Sequence, residues 1–326
     1  MTAEETRSIL TIALMAAFAD GLKDEGERAA VKRTAEALGP EAGFDLPGLY
    51  RDVLLAKPDL AAVAAPLKSQ EARQLAYEMA VGVCDADGAQ GPAEKAFLGR
   101  LAALLALPSA AAGATSTRAD EVAEAAFASD DAIANVGASA AAATATGTVM
   151  GRPNLSDAEM DKLITSAAVT NAALELLPET LASMAIIPLQ MRLVYRIGQA
   201  HGYAMDRTHA KDFIATLGVG LTSQYLEQFG RKLLGGVLGG LGGGVGRTLG
   251  RQAASSGLTF ATTYALGRVA QRYYAAGRTM DTAALKQTFA GLLEEARGLA
   301  PRYREQIEQK ASTIDTRSLA ALVRQS

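Results

Sequence analysis

The chain has 326 residues, 49% of them apolar and 21% charged, with a net charge of −3. That is enough to bury a sizeable core, and it excludes a disordered polar chain. A single cysteine, Cys84, excludes a disulfide framework or a cysteine zinc cluster, and two histidines, His201 and His209, leave little for a transition-metal site. Aromatic residues make up only 5% and Trp is absent, while Ala and Gly abound, which predicts an all-α fold of closely packed helices.

The opening MTAEETRS carries Glu4 and Glu5 where a secretory leader would be basic, which predicts a cytoplasmic start. Residues 1–107 then read as helices. Ile9, Ile12, Ala13, Ala16 and Ala17 recur at helical spacing, as do Leu75, Met79, Gly82 and Val83. Phe97, Leu98, Leu101, Leu104 and Leu105 form a third apolar face, and prolines at 40, 47, 58 and 66 divide the middle into short elements.

Within this region one short pattern occurs twice: Asp20-Gly21 followed by Glu27, and Asp87-Gly88 followed by Glu94. Helix capping explains most of it. Gly21 and Gly88 suit the left-handed position after a helix, and Asp24 can cap the next helix with Glu27 completing a capping box. Gly91 as N-cap and Pro92 as the first helical residue put Glu94 at the third position. Asp20 and Asp87 are left over, at helix C-termini where the dipole disfavours negative charge by about 0.3–1 kcal/mol. With Asp24 and Asp85 nearby, Asp20, Glu27, Asp87 and Glu94 form a candidate set of oxygen ligands for Ca²⁺ or Mg²⁺. The spacing is not that of an EF-hand. Capping alone and a cation site both remain open on the residues.

The segments ALMAAFADGLKDEGERAAVKRTAEALG and LAYEMAVGVCDADGAQGPAEKAFLGRLAALLAL resemble the two halves of a TerB-like, tellurite-resistance domain. That resemblance covers about residues 8–107. It implies an all-helical fold with a pseudo-twofold repeat and a divalent cation held through Asp20, Glu27, Asp87 and Glu94. The second turn departs from the pattern, since Ala89-Gln90-Gly91 lacks the acid that Asp24 or Glu25 supplies in the first.

Residues 108–155 are Ala/Ser/Thr/Gly tracts around a weak acidic helix expected from Asp120 to Ala134, and they read as a mostly flexible linker. Order is expected again at Ser156, where Ser156 and Glu159 form a capping box ahead of an apolar run. From there to Tyr274 the pattern is helical, with Pro178 and Pro188 as breaks. The tail from Asp281 to Arg324 is amphipathic, with Leu285, Phe289, Leu292 and Leu293 facing a core.

Residues 235–250 hold nine glycines in sixteen positions. Gly235, Gly239 and Gly243 repeat four apart, as do Gly236, Gly240 and Gly244, the small-residue spacing of close membrane helix contacts. The uncharged run from Leu233 to Gly246 is 14 residues, short of the ~20 needed to span a bilayer. An interfacial or partly embedded hairpin at the inner membrane fits better, and copies are expected to associate through these helices. GGGVGRT is not a phosphate loop: Leu241 stands at the first glycine and Arg247 at the lysine. Residues 156–326 carry 19 basic and 14 acidic side chains, which suits an anionic membrane surface. The aromatic and basic interleaving of a nucleic-acid groove is missing.

Pro178, Ile187-Pro188-Leu189-Gln190-Met191, Val194-Tyr195, Ile197 and His201-Gly202-Tyr203, with the glycine-rich helices after them, resemble the YcjF-like domain found after many bacterial GTPases. It covers about residues 158–275. The resemblance implies membrane association, no enzymatic role, and a GTPase partner in trans. Glu175 and Glu179 share a helix face, as do Arg192 and Arg196, and can pair in a bundle. No catalytic set is present. The reading is a non-enzymatic, cation-binding, membrane-associated stress-response protein, or an interaction scaffold whose acidic turns are only caps.

Overall fold

The structure, a computed structural model, describes residues 2–21, 31–32, 36, 45–85, 90–127, 154–177, 180–217, 230 and 245–325. Among these residues all regular structure is helical and no strand occurs, as the composition predicts.

Helix α1 (Ala3–Ala17) starts where Thr2 and Glu5 cap each other. The Thr2 hydroxyl accepts from the Glu5 N–H at 3.1 Å, and the Glu5 carboxylate accepts from the Thr2 N–H at 2.8 Å. The predicted apolar stripe of α1 is buried throughout: Ile9, Ile12, Ala13, Ala16 and Ala17 are at most 1% exposed. α1 packs on α2 (Leu46–Ala56), α3 (Leu60–Ala64) and α4 (Gln70–Cys84), and α4 in turn on α5 (Pro92–Leu104). Side-chain oxygens of Asp45, Asp59 and Ser69 cap α2, α3 and α4.

The chain from residue 108 departs from the expected flexible linker. Ser109–Ala125 form helix α6, and only residues 128–153 of that stretch lie outside the described residues. The tract lacks large apolar residues, yet Ala is the strongest helix former and its small side chain lets backbones approach closely. Ala112 and Ala119 join the core of α1 and α4, while Val122, Ala125 and Ala126 join a second cluster with C-terminal helices. Polar ties reinforce this. The Tyr77 hydroxyl donates to Ala112 O at 3.5 Å, Arg118 Nη2 to Thr316 O at 2.6 Å and Arg207 Nη2 to Ala123 O at 3.4 Å.

The remaining helices are α7 (Asp157–Leu176), α8 (Thr180–Met184), α9 (Ile186–Ala200), α10 (Arg207–Thr216), α11 (Val245–Ala275), α12 (Thr282–Leu299), α13 (Arg304–Thr313) and α14 (Leu319–Gln325). Short 3₁₀ turns at Ala300–Tyr303 and Thr316–Ser318 precede the last two. The Ser156–Glu159 capping box opens α7 as expected. Pro188 lies in the first turn of α9, where its missing N–H costs nothing. Of the glycine-rich segment, Val245–Gly250 form the start of α11, and residues 235–244 lie outside the described residues.

The 31-residue α11 is the centre of this half, packing on α7, α9 and α12. Its contact with α7 and α9 carries a polar seam. Thr263 Oγ1 accepts from Asn171 Nδ2 and from Gln190 Nε2, each at 3.1 Å, and the three residues are at most 1% exposed. The same contact needs a glycine. A Cβ on Gly267 would lie 2.8 Å from Ile164 Cγ2 and 3.1 Å from Leu193 Cδ2. Gly267→Val is expected to destabilise the fold by about 2–3 kcal/mol through overpacking. Gly257→Ala, whose Cβ would meet only Ala300 Cβ at 3.9 Å, should instead gain up to about 1 kcal/mol of helix propensity. Urea unfolding of the two variants checks the contrast, and equal midpoints would refute it.

Candidate functional site

Helices α1 and α4 pack side by side and run parallel. At one end, the Glu5 carboxylate receives the backbone N–H of Thr2 and also those of Ser69 and Lys68 ahead of α4; together these hold its pKa below the usual carboxylate range against its burial. At the other end, the Cys84 thiol lies 4.0 Å from Ala16 O, joining the last turns of the two helices. The positive dipole ends share Glu5, and the negative ends lie side by side.

Both helices therefore end on the same side of their contact. After α1, Asp20 is half-buried and Gly21 takes φ 68°, closing a turn through its N–H to Phe18 O at 3.2 Å. After α4, Asp85 is the C-cap residue and is 6% exposed, with its N–H bound to Val81 O at 2.8 Å. Neither helix has a basic residue in its last turn. Glu94 is 5% exposed and does what capping predicts: its Oε2 accepts from the Gly91 N–H at 2.7 Å, with Pro92 as first helical residue of α5.

Asp24, Glu27 and Asp87 lie outside the described residues. The predicted residues that are described do not form a three-ligand cluster among themselves: no group of three or more His, Cys, Asp or Glu side chains placed to hold a metal occurs among the described residues.

The structure adds residues that spacing did not reveal. Asp120, on α6, lies near Asp85 across the contact of α6 with α4. Burial pushes the Asp120 carboxyl up, Lys95 opposes this, Glu124 adds to it and Asp85 opposes it. Beside them Gln90, 8% exposed, accepts from the Ser116 hydroxyl at 3.3 Å, and its buried amide nitrogen has no partner among the described residues. The only sequence hint of Asp120 was the acidic patch within the Ala-rich tract.

Of the acidic and basic pairs on the two helix faces, Glu175 and Arg192 have these partners. Glu175, 1% exposed, accepts from the Ser255 hydroxyl at 2.9 Å. Arg192 donates from Nη1 to Ala126 O at 3.4 Å and from Nη2 to Arg324 O. Glu179 lies outside the described residues. His201 holds Ile197 O through Nδ1 at 2.8 Å, and exposed His209 pairs with its own N-cap, Asp206, at 2.8 Å, so both serve helix ends.

Among the described residues no helix is long and apolar enough to cross a membrane. No family model matches the chain. No curated protein matches it. No solved structure matches it.

Proposed function

We propose that this chain is a non-enzymatic divalent-cation-binding protein of a membrane-associated stress response, with the cation held where α1 and α4 end together. One observation carries the reading. Two parallel helices bring their negative ends side by side, each end is followed by an aspartate, Asp20 or Asp85, and neither helix has a basic residue in its last turn. Asp120 sets a further acid near Asp85 from α6. Carboxylates of this kind suit Ca²⁺ or Mg²⁺, and Asp24, Glu27 and Asp87 of the repeated motif would complete the shell. Glu94 contributes by fixing the start of α5 through Gly91.

A scaffold, such as a partner of a GTPase in trans, is the second reading. It is favoured by the use of Glu94 and Gly21 as ordinary cap residues. Calorimetric titration of the full chain with CaCl₂ and MgCl₂ separates the two. The cation reading expects binding that weakens roughly tenfold or more in Asp20→Asn and in Asp85→Asn. A wild-type chain that takes up neither ion leaves the scaffold. Flotation of the full chain with anionic liposomes tests the membrane contact, and protein remaining at the bottom of the gradient would count against it.

A further inference from the structure

A groove with a polar wall lies on the described surface of the C-terminal half. It has a volume of about 420 Å³ and runs between α11 and α12, lined by Tyr264, Arg268, Gln271, Arg272, Leu292 and Glu295. The α11 residues recur at the spacing of one helix face. Arg268 is fixed from three sides: it donates to Asp161 of α7, to Gln271 Oε1 at 3.1 Å, and to the Tyr264 hydroxyl at 2.9 Å, with its guanidinium 5.0 Å from the Tyr264 ring centre.

That arrangement settles which groups in the groove are spoken for. The charge of Arg268 is met by Asp161, and the oxygen of Gln271 is taken, which leaves the Gln271 amide N–H groups for another acceptor. One turn further on, Arg272 is exposed and has no ion pair or side-chain hydrogen bond among the described residues. Glu295, on the α12 wall, is likewise exposed and unpaired among them. One groove thus holds a cation and an anion that do not satisfy each other, with amide donors beside the cation. A simple anion would be repelled by Glu295, and a simple cation by Arg272. A molecule carrying both charges meets neither penalty.

We propose that this groove binds a zwitterion of the phosphoethanolamine type, its phosphate on Arg272 and Gln271 and its ammonium on Glu295. A phosphate has several acceptor oxygens for the N–H donors of Arg272 and Gln271, and a primary ammonium offers the N–H groups that a carboxylate accepts. The group comes either as a soluble phosphomonoester or as a lipid headgroup. The second source rests on the membrane contact proposed above.

The test uses the full chain, with Arg272→Gln and Glu295→Gln, both at exposed positions that leave the core intact. Calorimetry with O-phosphoethanolamine reports the soluble source. Flotation with phosphatidylethanolamine/phosphatidylglycerol vesicles against phosphatidylcholine/phosphatidylglycerol vesicles reports the lipid one. The expected result is binding in at least one format, weakened roughly tenfold by each substitution. Tighter binding in Glu295→Gln overturns the proposal, because it is the response of a plain anion site. Absence of wild-type binding in both formats also overturns it. Flotation that needs only phosphatidylglycerol and ignores both substitutions overturns the groove while leaving the membrane contact standing.

Discussion

Replacing Arg192 with alanine is expected to cost about 3–5 kcal/mol of stability, read as a lowered urea midpoint. The side chain is 1% exposed, and its guanidinium donates to Ala126 O, at the C-cap of α6, and to Arg324 O, in the last turn of α14. Those carbonyls belong to the last four of their helices, which have no donor of their own. The charge also lies at two negative helix ends at once. Arg192→Met keeps most of the volume but not the donors, so it should lose nearly as much. Arg192→Lys should recover little, because a point-like ammonium cannot span two carbonyls as a planar fork does. Amide hydrogen exchange in α14 should accelerate in all three. A loss below about 1 kcal/mol in Arg192→Ala would mean the two bonds carry no net stability.

Thr263→Val is expected to cost about 2–5 kcal/mol although it changes neither shape nor volume appreciably. The hydroxyl oxygen is the acceptor for both Asn171 Nδ2 and Gln190 Nε2. Valine would leave two buried amide donors unpaired, and no solvent reaches them. Thr263→Ser keeps the acceptor and should cost only about 1 kcal/mol for the lost methyl. The triple change to Thr263→Val, Asn171→Leu and Gln190→Leu removes donors and acceptor together and should regain much of the loss. Equal stability of the Val and Ser variants would show that the seam is not held by this oxygen.

Helix positions were legible where caps and periodicity agreed. Ser156 with Glu159, Gly91-Pro92 with Glu94, and the stripe from Ile9 to Ala17 each appear as read. Helix α6 was not legible, because Ala, Ser and Thr give no apolar periodicity even when they are buried. Its partners are distant in sequence: its own Arg118 donates to Thr316 O, while Arg192 and Arg207 donate to Ala126 O and Ala123 O, roles that no spacing within one helix reveals. Arg192 reads in sequence as one of two arginines sharing a helix face, and its burial against two helix-end carbonyls is visible only in the fold. Gly267, a single glycine inside a helical pattern, shows its purpose only against Ile164 and Leu193. The acidic repeat was visible as a pattern, and Glu94 does what the capping rules demand. Asp120 was not, since its proximity to Asp85 arises from the packing of α6 against α4.

The seam between α7 and α11 also bears on how the chain reaches its fold. The bonds Asn171–Thr263, Gln190–Thr263 and Ser256–Ala172 join residues 92, 73 and 84 positions apart. A helical protein usually assembles from near neighbours and does so quickly, but closing these long loops places this half among the slower folders of its class. During synthesis α7 leaves the ribosome well before α11 exists to cover it. At chain growth of about 5–20 residues per second, its apolar surface waits several seconds for its partner. A nascent chain paused before residue 260 should therefore be protease-sensitive in α7, and one released beyond residue 275 protected.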